Sequence, residues 1–286
     1  MMQPQHPNSS PQSHPYPVHV SELYLYPIKS MRGIPLGHAQ LDERGFHHDR
    51  RWMLVDAAGV FISQREEHRM ALIDVALNAH VLQVSAPGMD TLRIPIQTDG
   101  QLIRCRVWRD VVDAVPVSAE ADTWFSDFLG STCRLVHMPD ESRRIVDRAW
   151  VKNERIVGFA DAFPLLIIGQ GSLDELNLRL QQRGEPAVPM QRFRPNIVVA
   201  ETRPFEEDRW QHIRIGEVNV DVVKPCARCA IPTVDIETAE AGKEPLRTLS
   251  TYRKEASKVY FGQNAVHRQL GTIAVGDAVT VISRKD

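Results

Sequence analysis

The sequence has few cysteines and no excess of charge of either sign. Four cysteines in 286 residues, with Cys105 and Cys133 isolated, do not make the dense disulfide framework of small secreted folds. Because 34 Lys and Arg face 36 Asp and Glu with no dense basic block, the electrostatic footprint of a nucleic-acid-binding protein is missing. We therefore expect a reducing compartment, a small-molecule substrate and no nucleic-acid partner.

Long hydrophobic runs are also missing. No stretch approaches the roughly 18 apolar residues that a membrane-spanning helix needs. The first seventeen residues contain five prolines, but neither the apolar core of a secretory signal nor the arginines of a mitochondrial presequence. Such a stretch buries too little apolar surface to offset its ordering entropy. We expect a disordered tail over residues 1–17, no membrane partner and a cytoplasmic protein.

The first half of the remaining chain is rich in predicted strands. The stretch "RWMLVDAAGVFISQ" joins two apolar runs through a glycine-containing turn, which is typical of a hairpin. Further short runs, separated by Pro, Gly and Asn, indicate a barrel-like arrangement. One helix is predicted between an N-cap at Ser118 and a stop at Gly130. Its buried residues are expected to be Trp124, Phe125, Phe128 and Leu129.

A polar stretch over Met138–Arg155 is the best candidate for a domain boundary. It predicts one domain over residues 18–138 and a second over 139–286. In the second, Ser172 and Glu175 have capping-box spacing before a helix that ends at Gly184. The alternation of Val218, Val220 and Val222 predicts a strand, and "GTIAVGDAVTVIS" predicts a final strand pair around a Gly-Asp turn. The fold class is therefore mainly β or α+β, with few helices.

Two of the cysteines form a Cys-x-x-Cys pair, Cys226 and Cys229, in "VVKPCARCAIPTVD". A zinc site needs four ligands, usually in two close pairs, and no second pair is present. A thioredoxin-type site needs a helix after the pair, whereas "AIPTVD" with its proline does not predict one. Two unremarkable thiols in a turn are the third interpretation, and spacing alone does not decide among the three.

Longer motifs add a resemblance to a known family. The stretches "KPCARCAIPTVD", "KEPLRTLSTYR" and "FGQNAVHRQLGTIAVGD" closely resemble the signature of MOSC (molybdenum cofactor sulfurase C-terminal) domains. Upstream, "LYLYPIKSMRG", "DRRWMLVD", "FADAFPLLIIGQGSLDELNLRL" and "RFRPNIVV" resemble the branch that contains the mitochondrial amidoxime-reducing components and the bacterial hydroxylaminopurine-detoxifying proteins. The similarity runs from Val18 to Ile282. It implies a MOSC N-terminal β-barrel domain followed by a MOSC β-barrel domain.

The resemblance also implies a molybdenum cofactor and the residues that hold it. Cys229 matches the family's protein ligand to molybdenum, a role that suits a soft thiolate beside a metal already bound by the sulfurs of a pyranopterin. Cys226 is expected to be a small buried residue that supports the turn. Matching positions imply cationic and polar partners for the phosphate and pterin of the cofactor: Lys29, Ser30, Arg50, Asp161, Arg194 and Asn196. Arg228 lies between the two cysteines in sequence and is expected to face the cofactor as well.

The implied activity is reduction of N-hydroxylated compounds, namely amidoximes, hydroxylamines and N-hydroxylated bases, in detoxification. The sequence has neither the clustered cysteines of a ferredoxin-type domain nor a Gly-x-Gly-x-x-Gly turn. We therefore expect a separate electron donor, a ferredoxin or a flavoprotein reductase. Pro232 replaces a threonine that many relatives have, which leaves the substrate preference open.

Two other functions remain compatible with these motifs. One is a molybdenum-cofactor or sulfur carrier in which Cys229 holds a persulfide. The other is a binding or structural β-barrel protein with a vestigial site.

Overall fold

A computed structural model of the chain describes residues 16–97 and 99–285. The predicted tail over residues 1–17 lies outside the described residues except for its last two. The first half contains β1 (His19–Leu25), β2 (Ile34–Leu36), β3 (His38–Asp42), β4 (Gly45–Phe46), β5 (Trp52–Val55), β6 (Asp74–Leu77), β7 (Val81–Ser85), β8 (Leu92–Pro95), β9 (Ile103–Val107), β10 (Asp110–Pro116), α1 (Ala119–Leu129) and β11 (Arg134–His137).

The second half continues in the same strand-rich manner. It contains β12 (Leu165–Gly169), α2 (Gln170–Gln182), β13 (Ile197–Ala200), β14 (Trp210–Ile215), β15 (Val218–Ala227), α3 (Leu246–Leu249), β16 (Lys254–Glu255), β17 (Lys258–His267), β18 (Thr272–Ala274) and β19 (Val279–Arg284). Short 3₁₀ turns lie at His68–Leu72, Met190–Phe193, Glu206–Arg209 and Ile231–Thr233. The expected fold class, mainly β with few helices, is confirmed.

The largest sheet forms a barrel-like layer. Its strands follow the order β19-β14-β15-β17-β12-β13-β1-β2, and β16 pairs with β17. The two ends of this order approach each other, since Val20 N donates to Asp277 O at 2.9 Å and Val279 N donates to Val18 O at 2.8 Å. The enclosed side is a core of aliphatic residues, and the predicted alternation of β15 is observed, because Val218, Val220 and Val222 are buried in that core.

Alternate residues of the same strands face the other side of this sheet. In β12, Leu165 and Ile167 lie in the barrel core, whereas Ile168 packs with α2 and with Phe193 and Phe261 on the opposite face. This two-sided burial follows from the period of two in a β-strand, which sends successive side chains to opposite faces. The functional cleft described below lies on the second face.

Most of the remaining strands of the first half form two smaller sheets around α1. They have the orders β5-β11-β10-β9 and β6-β7-β8. The helix was predicted correctly: Ser118 Oγ accepts a hydrogen bond from Ala121 N, and Gly130 ends the helix at φ 71°. Its aromatic residues are buried against β8 and β11.

Two local predictions for the second half were wrong. Helix α2 begins at Gln170 with Gly169 as N-cap, and Ser172 is buried in its first turn, where its hydroxyl bonds the Glu207 carboxylate. The strands β18 and β19 do not pair with each other, since β18 pairs with β3 and β19 pairs with β14. In both cases a partner that is distant in sequence replaces the local partner.

The predicted boundary near residue 138 does not divide the sheets. Strand β1 pairs with β13, and β3 pairs with β18, so strands from both halves share hydrogen bonds and one apolar core. Among the described helices, none combines the length and the apolar character needed to cross a bilayer.

Candidate functional site

One cleft on the outer face of the large sheet brings together all eight residues singled out from the sequence. Its floor includes Leu166 and Asn264, which are paired across β12 and β17. The expected site residues that line it are Lys29, Ser30, Arg50, Asp161, Arg194, Asn196, Arg228 and Cys229. Arg65 and Cys226 line the same cleft. Segments that are far apart in the chain therefore meet at one concave surface.

Three of these residues have a backbone conformation that favours glycine. Ser30, Arg50 and Arg194 have φ values of 69°, 49° and 56°, which are sterically disfavoured for residues with a side chain. Surrounding hydrogen bonds hold the backbone there: Arg50 N donates to Tyr26 O at 2.8 Å, and Arg194 N donates to Gln191 O at 3.0 Å. The side chains are thereby fixed in the cleft before any ligand binds.

Arg50 and Arg194 share the ring of Tyr26. Each guanidinium carbon lies 4.3 Å from the ring centroid, and Arg50 also donates to Asn196 Oδ1 at 3.1 Å and pairs with Asp49. Burial, together with a smaller effect of the neighbouring Arg50, lowers the pKa of Arg194 to about 10. Two guanidinium groups thus lie beside a single buried carboxylate, Asp49.

Asp161 joins two further cations at the rim. Its carboxylate accepts from Lys29 Nζ at 2.6 Å and from Arg65 Nη2 at 2.7 Å. Burial alone would raise the pKa of Asp161, but Lys29 and Arg65 hold it well below its usual range. Burial lowers the pKa of Lys29 to about 8, against the opposing effect of Asp161. An anion bound beside Lys29 would favour its charged form.

The cysteine pair lies where β15 ends. Arg228 N donates to Val259 O at 2.8 Å, and Arg228 Nη2 donates to Phe193 O at 2.8 Å, so the loop is fixed at both backbone and side chain. Both thiols are free and only partly buried. The expectation that Cys226 is a buried small residue was wrong: it lies in the cleft with its Sγ 3.2 Å from Arg228 Nη1.

Arg65 is the functional residue that sequence reasoning missed. Although burial lowers its pKa, Asp161 and Cys229 raise it overall, and its guanidinium lies in the cleft with both groups. Arg65 follows the buried Ser63 and Gln64 in "FISQREEH". This segment lies outside the motifs that carried the resemblance, so no signal marked it.

The donor set of the cleft fits a phosphate-bearing, metal-containing cofactor. Among the described residues, five cations line the cleft, Lys29, Arg50, Arg65, Arg194 and Arg228, against one carboxylate. Two buried guanidinium nitrogens, Arg65 Nη1 and Arg228 Nε, have no hydrogen-bond partner in the protein. Because an unpaired buried N–H is costly, these groups indicate an anionic ligand. Cys226 and Cys229 add soft sulfur donors of the kind that a thiolate-binding metal prefers.

The other interpretations of the cysteine pair receive less support from the surroundings. No group of three His, Cys, Asp or Glu residues suited to a metal occurs in the part of the chain that the structure describes, whereas a structural zinc site needs four ligands. A 3₁₀ turn, Ile231–Thr233, follows the pair. A thioredoxin-type site would place an α-helix there.

Comparisons with known proteins match two adjacent regions. Residues 18–132 match the family model of the MOSC N-terminal beta barrel domain, and residues 154–280 match the model of the MOSC domain. Mitochondrial amidoxime-reducing component 1 of Mus musculus is 33% identical, over 93% of this chain and 82% of that protein. The Homo sapiens protein of the same name is 32% identical, over 93% of this chain and 83% of that protein.

Among solved structures, the YUAD protein from Bacillus subtilis covers 92% of this chain and 94% of its own, with 11% identity and a TM-score of 0.36.

Proposed function

Because the chain belongs to the MOSC family, with a MOSC N-terminal β-barrel domain ahead of a MOSC domain, we propose that it is a molybdenum-dependent reductase of N-hydroxylated compounds. The family resemblance inferred from the motifs is confirmed by these matches. The observation that carries the proposed activity is the cleft itself: two partly buried thiols beside five cations, two of which have unpaired buried N–H groups. Relatives named amidoxime-reducing components support the substrate class.

The eight site residues expected from the sequence, together with Arg65, each have a role in this proposal. Cys229 provides the thiolate ligand to molybdenum, and Arg65 stabilises its negative charge. Arg50, Arg194 and Arg228 bind the phosphate of the cofactor, since guanidinium groups pair with phosphate through two N–H donors. Lys29 adds a point charge, and Ser30 and Asn196 hydrogen-bond the polar edges of the pterin. Asp161 orients Lys29 and Arg65 through the short contacts already described.

The reaction consumes two electrons and two protons for each substrate. An amidoxime R–C(=N–OH)NH₂ becomes the amidine R–C(=NH)NH₂ as the N–O bond breaks, and the oxygen leaves as water. The bound cofactor supplies the two-electron chemistry, while the protein provides binding, orientation and electrostatics. Protons enter from solvent at the open rim, where the Asp161 side chain is 51% exposed.

The electrons come from another protein in this proposal. The sequence lacks the cysteine cluster of an iron–sulfur domain and a dinucleotide-binding glycine motif. We propose a ferredoxin or a flavoprotein reductase as the donor and the cytoplasm as the compartment. Contacts of this kind are usually small and transient.

A sulfur or cofactor carrier is the second candidate. The observation in its favour is that Arg65 and Arg228 flank the two thiols, since nearby cations stabilise thiolates and thereby promote sulfur transfer. In that case Cys229 would hold a persulfide, and no N-hydroxylated substrate would be reduced.

One assay separates the two candidates. The chain is purified from a molybdenum-replete host and mixed with benzamidoxime and reduced methyl viologen, and benzamidine is quantified by chromatography. The reductase proposal predicts turnover with viologen and none with NADH or NADPH alone. A molybdenum-loaded chain without turnover, or a chain that carries persulfide sulfur instead of metal, would contradict it. Substrate-dependent NADH oxidation by the chain alone would contradict the proposal that another protein donates the electrons.

A further inference from the structure

A second groove shares a wall with the cleft. Residues Asp161 to Phe163 line both, and the groove has a volume of about 630 Å³. Four aromatic side chains line it together with charged residues: Phe61, Trp108, Trp150 and Phe163. All five tryptophans of the chain lie in its described part, and the other three are buried. Trp108 and Trp150, which are 44% and 45% exposed, therefore place both accessible indoles of the protein in this groove.

Trp108 occupies its position against a backbone preference. It is the first residue of the two-residue turn between β9 and β10, where Val107 pairs with Asp110, and its φ is 55°. Such turn positions favour Gly, Asn or Asp, and a bulky residue there is strained. Strained residues persist where the surrounding structure holds them, and they cluster at functional sites.

The contacts of Trp108 connect the groove to the cleft. Its ring centroid lies 4.8 Å from that of Phe61, and the guanidinium carbon of Arg65 lies 4.6 Å from its ring centroid. Its indole N–H donates to Asp161 Oδ1 at 3.2 Å. The indole thus touches the same Arg65 and Asp161 that line the cleft beside Cys229.

The charges of the groove differ from those of the cleft. Arg144 is buried and pairs with Asp110 at 2.8 Å, and it donates to the carbonyl oxygens of Gly158 and Asp161. Arg109 lies 3.5 Å from Asp147. Lys224 also lines the groove, with its Nζ 4.4 Å from the Trp150 ring centroid. The groove therefore combines exposed aromatic rings with cations that are matched by acidic groups or lie on a ring, whereas five cations line the cleft against one carboxylate. A neutral ring suits the groove better than a second anion does.

We propose that this groove binds the flat aromatic body of the substrate while its N–OH group reaches across the Asp161–Phe163 wall into the cleft. This inference rests on the proposed reductase function and narrows its substrate class to N-hydroxylated compounds on an aromatic ring. Stacking on the two indoles favours such substrates over small aliphatic ones.

The kinetic test compares benzamidoxime with acetamidoxime, using reduced methyl viologen as the electron source. Trp108→Ala and Trp150→Ala are each expected to raise the KM for benzamidoxime about tenfold, since an aromatic contact of about 1.4 kcal/mol corresponds to that factor. Trp150→Ala should leave kcat/KM for acetamidoxime within about twofold, because the cation on its ring is Lys224. Trp108→Ala also removes contacts with Arg65 and Asp161, so its effect on acetamidoxime is not part of this test. Leu178→Ala, which changes an exposed residue of α2 away from both pockets, should alter neither. Equal changes for both substrates in Trp150→Ala, or an unchanged KM for benzamidoxime in both tryptophan variants, would overturn the proposal.

A binding measurement keeps this test separate from catalysis. Without reductant, benzamidoxime should quench the tryptophan fluorescence of the wild type, because both accessible indoles lie in the groove, and acetamidoxime should not. The Trp108→Ala variant should lose most of this quenching. If benzamidoxime quenches the fluorescence but is never reduced, the proposed reductase function is wrong, whereas the proposal that the groove binds aromatic compounds is supported. If benzamidoxime is reduced without quenching the fluorescence, only the proposal that it binds in the groove is wrong.

Two further results separate substrate binding from effects on folding and on electron transfer. Trp108→Gly removes the strained φ, so it should unfold at the same temperature as the wild type or higher while it still loses preference for benzamidoxime. A variant that folds stably and keeps that preference would contradict the proposal. So would tryptophan variants that slow reduction with a ferredoxin or flavoprotein donor but not with viologen, since the groove would then be a docking site for the donor.

Discussion

The two faces of strand β12 differ although they belong to the same five residues. Leu165 and Ile167 point into the barrel core, whereas Leu166 lies between them in sequence and forms part of the floor of the cleft. One face packs into the closed barrel core, and the other forms part of the floor of a cleft that five cations line. Strand alternation therefore places one side chain in the barrel core and its neighbour at the candidate site.

Two carboxyl groups, Asp161 and Glu207, show how neighbouring groups determine whether a carboxyl group is ionised. Asp161 is half-exposed and lies beside Lys29 and Arg65, which hold its pKa below the usual range although its partial desolvation acts in the opposite direction. Glu207 is fully buried, with Ser172 Oγ and Gly169 N as hydrogen-bond donors, and burial raises its pKa to about 7. A desolvated carboxylate keeps its charge when cations compensate it, and tends to be protonated when they do not.

The largest expected effect is the loss of turnover when a cysteine of the cleft is replaced. Cys229→Ala should abolish benzamidoxime reduction, whereas Cys226→Ala should keep a measurable part, because one thiolate suffices as the metal ligand. Cys133→Ala, in the buried core around α1, serves as the control and should affect stability rather than turnover. Viologen-linked turnover of the three purified variants measures this. Equal and complete loss in both Cys226 and Cys229 variants would indicate a disulfide or persulfide mechanism instead.

Substitutions of β12 residues that point into the barrel core should lower stability rather than activity. Ile167→Ala removes a fully buried side chain, so the free energy of unfolding should fall by about 2–5 kcal/mol. Leu166→Ala on the cleft face should lower it by less, since Leu166 is only partly buried. Urea unfolding followed by circular dichroism gives both values. If the two variants lose the same stability, the division between the faces is wrong.

The buried carboxyl group of Glu207 should make the free energy of unfolding depend on pH. Since its pKa is about 7 in the folded state and 4.5 ordinarily, the folded protein keeps a proton that the unfolded chain has released between these values. The contribution of Glu207 to stability should therefore fall as pH rises from about 4.5 to 7, by on the order of 3 kcal/mol at most. Glu207→Gln should remove this fall. Unfolding free energies at pH 5 and pH 8 test it, and parallel profiles of variant and wild type would refute it.

The smallest effect is expected from single phosphate contacts. Arg194→Ala, and less strongly Arg50→Ala, should lower cofactor retention, since one charge-assisted hydrogen bond contributes about 1.5–3 kcal/mol. Arg179→Ala is a matched control, because Arg179 also stacks on a tyrosine, with its guanidinium carbon 4.0 Å from the Tyr252 ring centroid, but lies outside the cleft. The molybdenum-to-protein ratio after dialysis provides the measurement. Full retention in both cleft variants would show that these roles were assigned wrongly.

Local sequence signals predicted the elements whose partners are close in the chain. Ser118 and Gly130 marked the ends of α1 because capping depends on neighbours within one turn. Ser172 has the same kind of signal but failed as a cap, since Glu207, 35 residues away, takes its hydroxyl. The β18–β19 pair failed for a similar reason, because strand pairing is a long-range choice that turn chemistry alone does not fix.

The sequence predicted those site residues that lie in family motifs, but not those that lie outside them. Family segments named eight residues, and all eight line one cleft, but neither their convergence nor the excess of positive charge follows from spacing. Arg65 and Trp108 were missed because their positions depend on contacts with Asp161, which is 96 and 53 residues away from them in the chain but adjacent in space. Such residues become visible only when the fold brings the segments together.

The metal content of the freshly purified chain shows whether the cleft holds a molybdenum cofactor. We expect about one molybdenum per chain when the protein is made in a molybdenum-replete host, because the cleft offers one thiolate position of the family type within one set of anion-binding residues. Elemental analysis gives the ratio, and the visible spectrum shows whether a pterin accompanies the metal. Stoichiometric zinc without molybdenum would contradict the proposed reductase.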